Sequence, residues 1–288
     1  LDLSRGYLLK KEWQKAFDQA EFGLNYTSDI ADLWYIKATA LKQLKMPIAD
    51  ISKPLQKAVL SNNWVYWNRD SARLMLAEIY VKTGQSPACL ELLNTAPELA
   101  LREAQYLRAQ ALYNIGDVLK ARAFIAVTAS IYPDDSRFPM LFFTRELMRP
   151  EFSLGDSDMV ELAVVFLKRI DDLKTENIDI LLYASQFTSC QYPDDEVAAK
   201  ELSNRILKAW KVYDKKNWLY AIFALKSGLI SEQTALDYLS SWFKDSKNNE
   251  IEFTDLEKIS ILITETDAAE NIKNLLEAFS GTITFDLN

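Results

Sequence analysis

Three pairs of adjacent carboxylates, Asp134/Asp135, Asp171/Asp172 and Asp194/Asp195, are the residues whose type best suits acid–base work. Glycoside hydrolysis needs two carboxyl groups facing each other across a substrate, several ångströms apart in a cleft. Neighbours on one helix do not provide that arrangement, so each pair reads as helix-end punctuation or solvated surface. The two thiols, Cys89 and Cys190, have no histidine to activate them, because the 288 residues include none. A histidine-based triad, an imidazole general base and a His-containing metal site are excluded, and two cysteines cannot build a four-thiolate zinc site. A disulfide between them is compatible with the sequence without being indicated by it. There is no glycine-rich phosphate loop ending in lysine and no dinucleotide fingerprint. No catalytic, cofactor-binding or metal-ligating residue is assigned, and the chain is expected not to be an enzyme.

Binding is the chemistry left open. A formal charge of -8 and a pI near 4.9 argue against a nonspecific nucleic-acid binder. The charge is uneven: residues 1–150 hold 19 Lys/Arg against 16 Asp/Glu, whereas residues 151–288 hold 14 against 25. Such polarity can steer a partner to one end of the molecule. No apolar run reaches the ~18 residues of a membrane span. Leu1 in place of an initiating Met points to processing or trimming, which leaves cytoplasm and periplasm or cell envelope equally open. Nothing in the sequence sets an oligomeric state.

The elements that must position any binding residues are helices. The composition is 49% hydrophobic with only 7 Gly and 8 Pro, which favours a mainly helical chain with short turns. Residues 3–26, 31–60, 70–96 and 102–133 each read as an apolar-periodic helix, a polar or glycine-containing turn, and a second such helix. Ala38, Ala77 and Ala109 supply small side chains where two helices approach closely, and Tyr80 and Leu112 fill the gap between adjacent hairpins. Gly84 and Gly116 are placed to take the positive φ that ends a helix.

In one unit Ala77, Tyr80, Gly84 and Ala96, and in the next Ala109, Leu112, Gly116, Ala121 and Pro133, resemble the tetratricopeptide repeat, a helix–turn–helix of about 34 residues. The preceding unit offers Trp34, Ala38, Leu41 and Ala58 with Lys45 in place of the turn glycine. The first pairs Tyr7 with Ala16 and Gly23, with Lys11 at the turn. The resemblance implies an all-α fold, a right-handed superhelical array of antiparallel helix pairs. In that family the first helices line a concave face that binds peptides or protein segments. Here the face would comprise Tyr35, Thr39, Lys42, Gln43, Leu74, Glu78, Lys82, Tyr106, Gln110, Tyr113 and Asn114. The repeated Lys/Asn arrangement with which some members clamp a carboxyl-terminal peptide is not evident. The expected function is a non-enzymatic scaffold recognising a peptide or protein surface.

An aromatic insertion, residues 61–69, interrupts the pattern. Trp64 and Trp67, three apart, are placed to share a helical face. Inter-repeat packing is the default role of such large aromatics. The alternative function is a small-molecule, lipid or carbohydrate binder whose cavity these rings would line.

Residues 136–280 form a less regular helical segment beyond the repeats of residues 1–135. Helices are expected over 138–148, 158–174, 178–188, 195–213, 217–227, 232–243, 252–263 and 267–279, with Asp194 or Asp195 and Ser231 as caps. Tyr-Pro-Asp-Asp occurs at 132–135 and 192–195 and reads as a helix-start signal. Residues 281–288 form a short β-prone tail, and Asp286-Leu287-Asn288 supplies only the first part of a calcium-loop ligand set.

Overall fold

The computed structural model describes residues 1–95, 101–149, 153–169, 179–211, 218–245, 253–263 and 269–280. These residues are all-α, apart from one isolated backbone bridge between Ile30 and Asn63. The β-prone tail with its partial calcium loop, the Asp171/Asp172 pair and Ala96 lie outside the described residues. The chain divides into two compact units, Leu1–Phe124 and Ile125–Asn288.

The first unit is a succession of helical hairpins. They pair α1 (Asp2–Leu9) with α2 (Trp13–Tyr26), α3 (Ala31–Gln43) with α4 (Ile48–Leu60), and α5 (Arg69–Lys82) with α6 (Ser86–Asn94). Next come α7 (Arg102–Asn114) and α8 (Val118–Ile131), the latter crossing the unit boundary. Successive hairpins pack in chain order, α2 on α3, α4 on α5 and α6 on α7. This sequential packing of helix pairs is that of a repeat-like helical protein.

All four hairpins close by the same backbone device. The second residue beyond each first helix is left-handed: Lys11 (φ 59°), Lys45 (56°), Gly84 (73°) and Gly116 (80°). In the first turn the Lys11 amide donates to the Leu8 carbonyl at 3.0 Å and the Glu12 amide to Tyr7 at 2.9 Å. The same two bonds recur as Lys45 to Lys42 with Met46 to Leu41, Gly84 to Val81 with Gln85 to Tyr80, and Gly116 to Tyr113 with Asp117 to Leu112. Together they satisfy carbonyls that the helix end leaves without partners. Glycine adopts this conformation freely, whereas a side chain there costs about 1–2 kcal/mol. Attraction of a lysine to a helix carboxyl end returns only about 0.3–1 kcal/mol. Lys11 and Lys45 therefore sit in their turns at a net cost.

Small residues let the hairpins approach. Ala38, Ala77 and Ala109 are fully buried, as their spacing predicts, and a Cβ on Gly23 would lie 3.0 Å from the Leu33 side chain. Tyr80 packs against the core shared by α3, α4 and α5 and also against that of α5, α6 and α7, so it fills the gap between hairpins. Each fully buried large aliphatic residue, such as Ile36 or Leu55, contributes about 1.5–3 kcal/mol.

The second unit continues with α9 (Arg137–Leu147), α10 (Ser157–Lys168), α11 (Asp179–Ala184), a 3-10 turn at Ser185–Phe187, α12 (Thr188–Gln191) and α13 (Glu196–Lys211). It ends with α14 (Trp218–Lys226), α15 (Glu232–Asp245), α16 (Phe253–Ile263) and α17 (Ala269–Ser280). Phe142, Phe143, Phe166 and Phe187 are fully buried in one cluster, with the Phe143 and Phe187 centroids 4.9 Å apart. Trp218–Ala224 of α14 is buried on every side. Much of the aromatic surplus is thus core.

The expected caps are present: Asp195 accepts the Ala198 amide at 3.0 Å, and Ser231 Oγ accepts that of Thr234 at 3.3 Å. Gly228, at φ 64°, closes α14 onto α15 with the same pair of bonds seen in the first unit. Both Tyr-Pro-Asp-Asp strings form the same turn, with the Asp135 amide on Tyr132 and the Asp195 amide on Tyr192. Asp135 departs from the solvated reading. It is buried and forks onto the Arg137 guanidinium at 2.9 and 2.7 Å.

Candidate functional site

The helices α3, α5 and α7 carry the face picked out by the repeat pattern. Tyr35, Thr39, Lys42 and Gln43 lie on α3, Leu74, Glu78 and Lys82 on α5, and Tyr106, Gln110, Tyr113 and Asn114 on α7. Lys42, in the last turn of α3, reaches across to Glu78 at 2.7 Å, and Lys82 holds the other Glu78 oxygen at 2.8 Å. Burial opposes ionisation of Glu78, yet hydrogen bonds from the two lysines outweigh it and keep the carboxyl below its ordinary range. One carboxylate thus ties two neighbouring first helices together. Tyr35, Thr39, Leu74, Tyr106 and Gln110 are half-buried, and Gln43 is exposed. Thr39 Oγ1 donates back to the Tyr35 carbonyl at 2.9 Å. Two residues turn to the protein itself: Tyr113 is 8% exposed, and Asn114 Nδ2 donates to Ser86 Oγ at 3.1 Å.

The aromatic insertion is not helical, which corrects the shared helical face expected of Trp64 and Trp67. Its amides are taken by a side chain from another hairpin. Asp32, fully buried in the first turn of α3, accepts hydrogen bonds from the amides of Val65 (2.7 Å), Tyr66 (2.8 Å) and Trp67 (2.9 Å). Ser61 Oγ donates to the Asp29 carbonyl, the Ala31 amide donates to the Asn63 carbonyl, and Asn68 caps α5. So held, the indoles of Trp64 and Trp67 turn onto Tyr35, with centroids 6.2 and 5.5 Å away. Trp67 joins the core of α1, α2 and α3, and Trp64 that of α3, α4 and α5. Tyr66 remains 44% exposed, with its hydroxyl bonded to Asp2 and the Arg5 guanidinium 4.2 Å over its ring. Burial raises the Tyr35 phenol above its ordinary range.

Both cysteines are free and buried, and burial pushes each thiol up to about 11. A thiol held protonated is a poor nucleophile. Among the described residues no three His, Cys, Asp or Glu side chains group to hold a metal ion. No described helix is long and apolar enough to cross a membrane.

Sequence reasoning missed Asp32 as a structural determinant, and it set Lys11 and Lys45 at their turns without giving them the left-handed conformation. An acidic residue in a first helical turn is an ordinary dipole partner, and nothing local to Asp32 points to amides 33 to 35 residues onward. The two lysines had a visible signal, since each stands where later units carry glycine.

The fold and this face define an all-helical protein of repeat-like hairpin packing. No known family profile matches the sequence. Over 182 residues the chain is 32% identical to a protein of Treponema pallidum (strain Nichols) described as an uncharacterized protein. The match covers 63% of this chain and 22% of that protein, so the chain corresponds to about a fifth of its relative's length.

Proposed function

We propose that the protein is a non-enzymatic interaction scaffold of the tetratricopeptide type. Its amino-terminal hairpins wind as a right-handed superhelix, and their first helices present a face to a peptide or protein segment. The observation that carries this reading is the shared Glu78 carboxylate, which holds α3 and α5 in fixed register through Lys42 and Lys82. On either side of that bridge, half-buried Tyr35, Leu74 and Tyr106 offer apolar contact at little entropic cost, while Thr39, Gln43 and Gln110 offer hydrogen bonds. Tyr113 serves as packing beneath this face. The inward turn of Trp64 and Trp67 supports a packing role for them over a ligand cavity.

The test is substitution of Tyr35 and Tyr106 to alanine, one at a time. Folding is checked by circular dichroism, and affinity is measured for a partner captured from the source organism and then reconstituted. A contact at the centre of the interface weakens binding about tenfold or more. Folded variants with unchanged affinity would remove the face from this reading.

A further inference from the structure

We infer that the hairpin-turn edge of the first unit, built on Lys10, Lys11 and Lys45, is a docking site for an acidic peptide segment. It borders the Tyr35–Tyr106 face, with which it shares Lys42 and Lys82, and is built on other residues. The chain reverses between successive packed helices, so α1, α3 and α5 run the same way, and Lys42 in the last turn of α3 meets Glu78 near the carboxyl end of α5. The first three turns and the helix ends beside them carry Lys10, Lys11, Lys42, Lys45 and Lys82, against the carboxylates of Glu12, Asp50 and Glu78. Glu12 is engaged by Lys15 at 2.7 Å and Glu78 by Lys42 and Lys82, which leaves exposed Asp50 as the carboxylate set against the remaining lysines. Lys10, Lys11 and Lys45 are exposed and make no salt bridge to any described residue. Exposed Leu9 and Met46 lie beside them in the chain and supply apolar contact.

Backbone strain argues that two of these charges are kept for a purpose. Lys11 and Lys45 occupy the left-handed turn position where Gly84, Gly116 and Gly228 stand in the other hairpins. Helix-end electrostatics does not offset that strain, and strained residues mark functional surfaces more often than chance. A peptide with two or three carboxylates matches two adjacent lysines on the first turn and a third on the turn of the next hairpin. Nucleic acid and anionic membrane fit less well. Polyphosphate affinity rests on many simultaneous contacts, recruitment to lipid takes roughly four to eight cations where this edge leaves three outside ion pairs, and the whole chain carries -8.

The test exploits the turn geometry, because Lys→Gly at positions 11 and 45 removes charge while relieving strain. Binding of a fluorescent twelve-residue peptide of alternating Glu and Ala is measured for the intact protein, for K11G/K45G and for K11Q/K45Q. Both variants should bind about five- to tenfold more weakly, the glycine variant should melt higher, and binding should weaken between 50 and 300 mM salt. Tyr106→Ala should leave this binding unchanged, which keeps failure here distinct from failure of the first-helix face. The inference is overturned if the wild type ignores the acidic peptide, if either variant binds it as tightly, or if an alternating Lys-Ala peptide binds equally well. It is also overturned if duplex DNA or vesicles of 30% phosphatidylserine in phosphatidylcholine bind in a Lys11/Lys45-dependent manner and the peptide does not.

Discussion

Replacing Asp32 with alanine removes the side chain that holds the aromatic insertion in place. Three amides lose a charged acceptor at 2.7, 2.8 and 2.9 Å. Hydrogen bonds to a charged group contribute about 1.5–3 kcal/mol each. The full sum is not expected, because Val65 and Tyr66 are exposed and their freed amides can turn to water. The Trp67 amide is less able to do so, and the Tyr35 contacts with Trp64 and Trp67, about 0.5–1.5 kcal/mol each, loosen with the loop. The net expectation is a loss of about 3–5 kcal/mol for Asp32→Ala. Asp32→Asn keeps one acceptor oxygen and should lose about 1–2 kcal/mol. Urea unfolding gives the energies, and amide exchange by mass spectrometry locates them. Exchange in residues 62–68 should accelerate before any change in α7. A cost below 1 kcal/mol for the alanine variant, with unchanged exchange in the loop, would refute the anchoring role.

Three further outcomes follow from the geometry. Gly84→Ala and Gly116→Ala meet nothing within 4 Å, so each should destabilise by about 1–2 kcal/mol through backbone strain alone; neutral melting temperatures would contradict the left-handed turns. Cys89 and Cys190 should resist a thiol reagent at pH 8 until denaturant is added, and rapid labelling of both in the native protein would contradict their burial. Because folding raises these thiol pKa values, the protonated native form is favoured below the unfolded value near 9, and stability should fall as pH rises from there toward about 11. Glu78 has the opposite sign: its lowered pKa contributes stability above about pH 4.5 that is lost as pH falls through the folded value. Carboxyl titration by NMR should place Glu78 below an ordinary glutamate, and Lys42→Met should raise it.

The hairpins of the first unit were legible because their determinants are local. A helix period, a small residue at a close approach and a glycine at a turn all lie within one 34-residue window. Ala77, Tyr80 and Gly84 declared themselves for that reason, and all three occupy the expected places. The aromatic insertion was not legible. Two tryptophans three apart read as a helical face, and only the distant Asp32 carboxylate decides otherwise. The burial of Asp135 was hidden too, since a carboxylate beside a turn looks solvated until its arginine fork is seen. Of the candidate face, spacing could assign residues to helices but not divide those facing outward, such as Gln43, from those buried against the protein, such as Tyr113.

The buried phenylalanine cluster carries a consequence for how the chain comes to be folded. Phe142 of α9 meets Phe187, which follows α11, so the second unit's core joins parts of the chain far apart in sequence. Each hairpin of the first unit instead closes on its own turn and then on its immediate neighbour. Contacts of short sequence separation form fast, and long loops must be ordered before distant ones are rewarded. During synthesis the early hairpins can dock as they emerge, while Phe142, Phe143 and Phe166 wait for Phe187 to leave the ribosome. Over that interval a large apolar surface of the carboxyl half is uncovered, and that is where a chaperone would be expected to hold it.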